Sequence, residues 1–348
     1  MPDRSPSRIS IIAAFAAIYL FWGTTFLALR YAVAEVPPLV TIATRCIGGA
    51  LVLYAWLGWR GGLERVSRSQ WLTSALAGGF LFVGGHGALA WAEQRVSSGQ
   101  AALFMTTIPL WLVLLTSLRE RRAPSRMVVT GLVLGSLGVT LLAGGKGAWS
   151  GTLLDRLALI GSGLSWAVGS LIARNGPRPE SATQSTAMQL AAGGIIVVLL
   201  SGLAGEFSGW SAAQVTPRGA ASLAFLVLGG TVLGFGAYTW LLRVSTPAAV
   251  GTYAFVNPVV ALALAWAVGD EPFSIRTIVA GAIVLGAVGL IWKSSARISH
   301  STPHHPSEGV TPSLRSGQAL SGAKGPEGRP SPRISEADTV SAPSLRSG

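Results

Sequence analysis

Three residues with binding or proton chemistry sit where the chain is otherwise apolar: Arg45 in "TRCIGGALVL", His86 in "FVGGHGALAW" and Asn257 in "YAFVNPVVAL". An ionised arginine in hydrocarbon costs at least ~2.5 kcal/mol unless it faces a partner or a bundle interior. Arg45 is therefore the foremost candidate to contact an anionic solute group such as a carboxylate, with a structural ion pair or a snorkelling side chain as the alternative. His86 could titrate near neutral pH and act as a proton-coupling group, although a hydrogen-bonded core histidine reads the same way. Glu93, at the end of the same apolar run, is the second proton-coupling candidate.

Pro109 and Pro258 interrupt two further apolar runs. Each removes a backbone donor and frees a carbonyl, which lipid tolerates only where neighbours or a water-lined cavity satisfy it. A packing kink would explain either proline alone, but their symmetric placement favours a cavity wall. Asn257 beside Pro258, and Tyr253 one turn before, add hydrogen-bonding groups to the same face. Gln189, with Gln100, Thr106 and Thr107, could line the cavity or bond a neighbouring helix. Trp22 and Trp166 hold matching places and could stack on a solute or simply pack the two halves together.

Catalytic signatures are missing from these stretches. "AGGKGAW" lacks the spacing and the Ser or Thr of a phosphate loop, and no metal spacing or nucleophile elbow is found in the apolar part. No cofactor and no metal are expected. "HSTPHHP" near the C-terminus is an adventitious metal site at most.

The elements that must position these residues are membrane helices. Half of the residues are hydrophobic and 11% are charged, a balance that a soluble domain of this size does not need. Apolar runs long enough to cross ~30 Å of hydrocarbon as helices fall at 9–29, 39–59, 71–92, 98–118, 126–144, 153–173, 184–204, 219–241, 247–268 and 274–293. They are continuous and about twice the length of a barrel strand, which excludes a β-barrel. The glycine ladders "GLVLGSLGV" and "GAIVLGAVGL" would let helices approach closely.

The formal charge of +12 does not mean nucleic acid, because its basic residues are scattered over short loops instead of forming one patch. Alternate loops and the chain ends, counted as far as residue 300, hold about 14 Lys or Arg against about 6 in the others, which puts both termini of a multi-pass protein in the cytoplasm. The first run is too long for the apolar core of a signal peptide. Cys46 stands alone and says nothing of redox compartment.

The chain is written twice. "LFWGTTFLALR" at 20–30 aligns with "LSWAVGSLIAR" at 164–174, matching Trp22 with Trp166 and Arg30 with Arg174; at the same offset of 144, Arg45 matches Gln189. "RVSSGQAALFMTTIPL" at 95–110 aligns with "RVSTPAAVGTYAFVNPVV" at 243–260 at an offset of about 148. Five helices per unit is an odd number, so the second unit must enter the membrane from the opposite side. The expected fold is thus an all-α integral membrane protein of ten transmembrane helices in two inverted five-helix repeats, 9–144 and 153–293. A tail at 294–348, rich in Ser, Pro, Gly and Arg, is expected to be disordered and cytoplasmic.

"LFWGTTFLALRYA", "RCIGGALVL", "AEQRVSSGQAALFMTTIPLW" and "VSTPAAVGTYAFVNPVVALALAWAVGDEP", taken in order, resemble the EamA family of the drug/metabolite transporter superfamily over residues 9–293. The resemblance implies a ten-helix basket around a central cavity and secondary export of small metabolites or drugs. Carried over by position, Arg45, Glu93, Pro109, Pro258 and Glu271 follow the family pattern, while His86 and the tail depart from it. The function expected is export of small organic solutes, amino acids or drugs among them, across the cytoplasmic membrane by alternating access. Import or exchange, and a non-transporting membrane scaffold or enzyme, are the alternatives. The partners expected are a small-molecule solute and the lipid bilayer, not nucleic acid, and a homodimer is one assembly open to the chain.

Overall fold

The computed structural model describes residues 7–96, 101, 104–143, 151–208, 210–268 and 275–301. Helices account for nearly all of them, with no strand among the described residues. In chain order they are α1 (Arg8–Val33), α2 (Pro38–Trp59), α3 (Arg68–Ala92), α4 (Ile108–Glu120) and α5 (Arg126–Ala143). A second set follows: α6 (Leu153–Asn175), α7 (Ala182–Leu203), α8 (Pro217–Val244), α9 (Tyr253–Val268) and α10 (Ile275–Ser301). Among the described residues, six helices are long and apolar enough to cross a membrane: α1, α2, α3, α6, α7 and α8. Shorter apolar helices lie within α5 and α10. Bulky side chains such as Leu51, Leu137, Leu199 and Leu285 stay exposed on the outside, as lipid-facing positions do.

Local chemistry sets where the helices begin. Ser67 and Gln70 cap α3 reciprocally, as Thr152 and Asp155 cap α6, each pair satisfying two orphan backbone donors. Pro38 and Pro217 open α2 and α8 at positions where a missing N–H costs nothing. Arg121, at φ 52°, ends α4 in a left-handed turn.

Two helices widen in the middle. Gly79–Gly87 of α3 and Leu226–Phe235 of α8 both wind as π-helix, with i→i+5 geometry. These stretches start 147 and end 148 residues apart, so the irregularity is duplicated along with the sequence.

The packing repeats as well. α1 lies against α8 and α9, while α6 lies against the matching α3 and α4; α2 pairs with α7 and α5 with α10. Exchanging the two sets of five leaves this pattern of neighbours in place. The α5–α10 contact runs over the glycines of α5: a Cβ on Gly131 would stand 2.5 Å from Ile291, and one on Gly138 would stand 2.8 Å from Val284. The ladder on α10 is not used in this way, since Gly286 and Gly289 face open space.

Two expectations shift. Pro109 was placed near the middle of a helix but stands in the first turn of α4, after a turn at Thr106 and Thr107; Pro258 lies inside α9, which follows a short helix, Pro247–Gly251, and a break at Thr252. α10 runs on through Ser301, past the expected start of the tail at 294, because Ser294 is buried and hydrogen-bonds Ser125 at 2.6 Å. The rest of the tail, 302–348, lies outside the described residues, as do Gln100 and Glu271.

Candidate functional site

Trp22, Thr25 and Leu29 follow one another at spacings of three and four along α1, which puts them on one face, and that face borders a cavity of about 90 Å³. At ~10–15 Å³ per enclosed water, the space suits several waters or one small solute. α2 contributes Arg45, and the widened part of α3 contributes Gly85 and His86. From the second set come Ser162 and Trp166 of α6 and Tyr253, Asn257 and Pro258 of α9. The walls therefore belong to both halves.

The matched tryptophans meet each other. Their rings stand edge to face with centroids 5.8 Å apart, and Tyr253 adds an edge contact to Trp22 at 4.6 Å. Such geometry places the positive ring edge on the negative ring face. Trp22 Nε1 donates to the Gly230 carbonyl at 2.8 Å, inside the widened part of α8. Trp166 Nε1 donates to the Tyr238 hydroxyl at 3.0 Å, and Tyr238 shares a 2.6 Å hydrogen bond with Ser170. Each tryptophan fits because a glycine of the opposite half leaves room. A Cβ on Gly234 would stand 2.6 Å from Trp22 Nε1, and one on Gly85 would stand 3.1 Å from Trp166.

Arg45 is 6% exposed and its Nε donates to Thr231 Oγ1 at 3.4 Å, a long and weak bond. No ion pair to Arg45 is found among the described residues. Its guanidinium borders both the main cavity and a smaller pocket lined by Thr231, Cys46 and Phe82. Asn257 is 5% exposed, and its Oδ1 has no hydrogen-bond partner among the described residues. One residue on, Pro258 cannot donate to the Ala254 carbonyl, and both residues border the cavity. His86 lies against Trp166, with ring centroids 4.9 Å apart, and against Phe82 at 5.9 Å.

The structure thus gathers Trp22, Arg45, His86, Trp166, Tyr253, Asn257 and Pro258 around one space. Pro109 is not at the cavity wall. It packs under Gly251, where a Cβ would come within 3.2 Å of Pro109 Cα, so it seats the short entry helix of α9. Gln189 is also elsewhere: its Nε2 donates to Ser185 at 3.2 Å, and its backbone carbonyl abuts Gly78, joining α7 to α3. Glu93 follows directly on α3, with its side chain outside the described residues. Sequence reasoning missed Thr25, Met105 and Ser162 as cavity residues. The signal for Ser162 was its place one turn before Trp166 on the same face of α6.

Along α6 the same face continues beyond the cavity: Ser162 and Trp166 border it, Ser170 holds Tyr238, and Arg174 Nη1 donates to the carbonyls of Leu242 and Ser245. At that end of the bundle the Glu64 carboxylate accepts from the Glu180 and Ser181 amides at 3.0 and 2.7 Å, and Arg243 donates to the Glu180 carbonyl. At the other end Glu35 accepts from the amide and hydroxyl of Thr216 at 2.8 and 2.7 Å, and Arg95 pairs with Asp155 at 2.7 Å.

Comparison with known proteins matches this architecture to one family. The model of the EamA-like transporter family covers residues 8–144 and again 156–293. The uncharacterised inner membrane transporter YedA of Escherichia coli (strain K12) is 30% identical over 82% of this chain and 92% of its own length. The uncharacterised transporter YoaV of Bacillus subtilis (strain 168) is 21% identical over 80% of this chain and 94% of its own. A protein of known crystal structure shares the fold with a TM-score of 0.69 at 21% identity, over 84% of this chain and 99% of that one. Two family units in tandem, apolar helices and a cavity walled by both units lead to one assignment: the chain is an integral membrane protein that belongs to the EamA-like transporter family, with a role in transport.

Proposed function

We propose that the protein exports small organic solutes across the cytoplasmic membrane as a secondary transporter, by alternating access between two inverted five-helix halves. The observation that carries this reading is the cavity itself: it is walled by both repeats and bordered by the buried Arg45, which has no ion pair among the described residues. An intramembrane charge without a partner marks a solute pathway more readily than a packing contact. The exchange symmetry of helix neighbours supports two halves of like build, which can swap conformations and so move the opening from one side to the other. With both termini in the cytoplasm, as the loop charges favour, the Arg174 end of the bundle faces the cytoplasm. Export is the direction that the family pattern favours. His86 and Glu93 are the proton-coupling groups of this reading.

Counterflow in proteoliposomes, with a labelled panel of amino acids, nucleosides and cationic dyes and with or without a pH gradient, tests it. Trans-loaded solute is expected to drive uptake of its labelled counterpart well above empty liposomes. A folded protein that moves no member of any class would overturn the reading. A pH gradient that changes the rate for the unaltered chain but not for His86→Phe would assign coupling to His86; an unchanged response would leave His86 as an aromatic-cluster residue.

A further inference from the structure

We infer that Tyr19 is a positioning residue of the transport cycle: its hydroxyl latches the break in α9 at Thr252, and because the corresponding break in α4 has no such latch, the two hinges of the repeat pair are unequal. The part in transport rests on the alternating-access reading above; the latch itself does not.

The two breaks are built alike. Thr252 N and Oγ1 both donate to the Ala249 carbonyl, at 3.2 and 2.6 Å, and Thr107 N and Oγ1 both donate to the Phe104 carbonyl, at 3.0 and 2.7 Å. In each the threonine folds its side chain back on its own backbone just before a helix starts, an alternative to the regular helical ladder. Such short non-helical joints are where a packed helix can bend. Each threonine also faces a helix of the opposite half, and at matched positions. Thr252 meets Tyr19 of α1, and Thr107 meets Gly163 of α6; residues 19 and 163 stand at the offset of 144 that pairs Trp22 with Trp166.

The chemistry at the two places differs. Tyr19 Oη lies 2.6 Å from Thr252 Oγ1. Thr252 has one hydroxyl proton, which goes to the Ala249 carbonyl, so Tyr19 is the donor. Thr252 is fully buried, and no bulk water competes for the bond. Gly163 brings no donor: a Cβ there would already stand 2.7 Å from Thr107 Oγ1, and no helix donates to that oxygen among the described residues. Tyr19 does not border the cavity, so it reaches the solute only through α9, which carries Tyr253 and Asn257 to the cavity wall. The short helix held by the latch, Pro247–Gly251, in turn seats α4: a Cβ on Gly251 would stand 3.1 Å from Leu112 Cδ1 and 3.2 Å from Pro109 Cα. The latched turn is thus the fixed face against which the first turn of α4 packs.

Hydrogen–deuterium exchange on the full chain in nanodiscs tests the latch, read in peptides spanning 249–256 and 104–110. In the unaltered chain the α9 turn is expected to exchange more slowly than the α4 turn. Tyr19→Phe keeps the ring, which packs 5.9 Å from Phe15, and removes only the hydroxyl. It is expected to speed exchange of the α9 turn ~2- to 12-fold, the range for one lost neutral hydrogen bond, and to leave the α4 turn as it was. Thr252→Ser should keep the slow exchange, Thr252→Val should lose it, and adding Tyr19→Phe to Thr252→Val should add nothing. Counterflow is expected to change rate in Tyr19→Phe and Thr252→Val but not in Thr252→Ser. Unchanged exchange of the α9 turn in Tyr19→Phe, or equal acceleration of both turns, would overturn the latch. Faster exchange with unaltered counterflow would overturn its part in transport and leave Tyr19 a packing residue. Should the variants fail to fold, the unaltered chain decides, and an α9 turn that exchanges as fast as the α4 turn overturns the inference. If counterflow moves nothing even in the unaltered chain, the transport reading fails and the exchange data alone judge the latch.

Discussion

Gly234 decides where Trp22 can sit, and Gly85 does the same for Trp166. Gly234→Ala would bring a methyl group to 2.6 Å from Trp22 Nε1 and push the indole off the Gly230 carbonyl. The expected cost is ~1–3 kcal/mol of stability, as for overpacking in general, read as a lowered unfolding midpoint together with loss of counterflow. Gly85→Ala, at 3.1 Å, should cost less. Equal midpoints for both variants and the unaltered chain would show that the tryptophans are not held by these contacts. Arg45 and Asn257 were legible in the sequence because a charge or an amide inside an apolar run is costly unless it is used. Thr25 was not, since a lone threonine in a membrane helix usually bonds its own backbone, and Thr25 Oγ1 does donate to Phe21 O at 2.7 Å. For Gln189 the sequence left open a cavity wall or a contact with a neighbouring helix, because its match to Arg45 fixes its place in the repeat but not what its side chain faces; the structure puts its backbone against Gly78 of α3.

Helix edges were largely legible. The run expected at 39–59 is Pro38–Trp59 and the one at 153–173 is Leu153–Asn175, because prolines and capping residues stop the apolar patterns where the helices begin. The widened turns of α3 and α8 were not. Glycine runs such as "GGFLFVGGHG" and "LVLGGTVLGF" permit i→i+5 winding without requiring it, and the widened stretches are where α6 packs on α3 and α1 on α8. The two glycine ladders looked alike in sequence, yet α5 uses its ladder against α10 and α10 leaves Gly286 and Gly289 unopposed. Gly131→Ala is therefore expected to destabilise, with a Cβ 2.5 Å from Ile291. Gly286→Ala should be neutral or stabilising by up to ~1 kcal/mol through helix propensity. Thermal unfolding of the two variants in the same detergent separates them, and equal losses would mean that α10 turns its glycines to a partner after all.

At the scale of the whole molecule, the duplication in sequence was enough to expect two like halves, and the exchange pattern of helix neighbours matches it. What ties the bundle together at the Arg174 end could not be read in advance, because Arg174 donates to the carbonyls of Leu242 and Ser245, and backbone carbonyls carry no sequence signal. Arg174→Ala removes charge-assisted hydrogen bonds worth ~1.5–3 kcal/mol and, in the alternating-access reading, should shift the balance toward opening at that end by roughly 10- to 150-fold. The readout is faster labelling of a cysteine at Ser170 from that end; unchanged labelling would show that Arg174 does not hold the end shut. Most direct is a test of whether solute passes through the cavity itself. With Cys46→Ala as background, Thr25→Cys puts one thiol on the cavity wall, and counterflow is measured before and after a membrane-impermeant thiosulfonate reagent is added from the extracytoplasmic side. Modification is expected to block counterflow, and transported solute to protect the thiol; full counterflow by a quantitatively modified protein would contradict a pathway through this cavity.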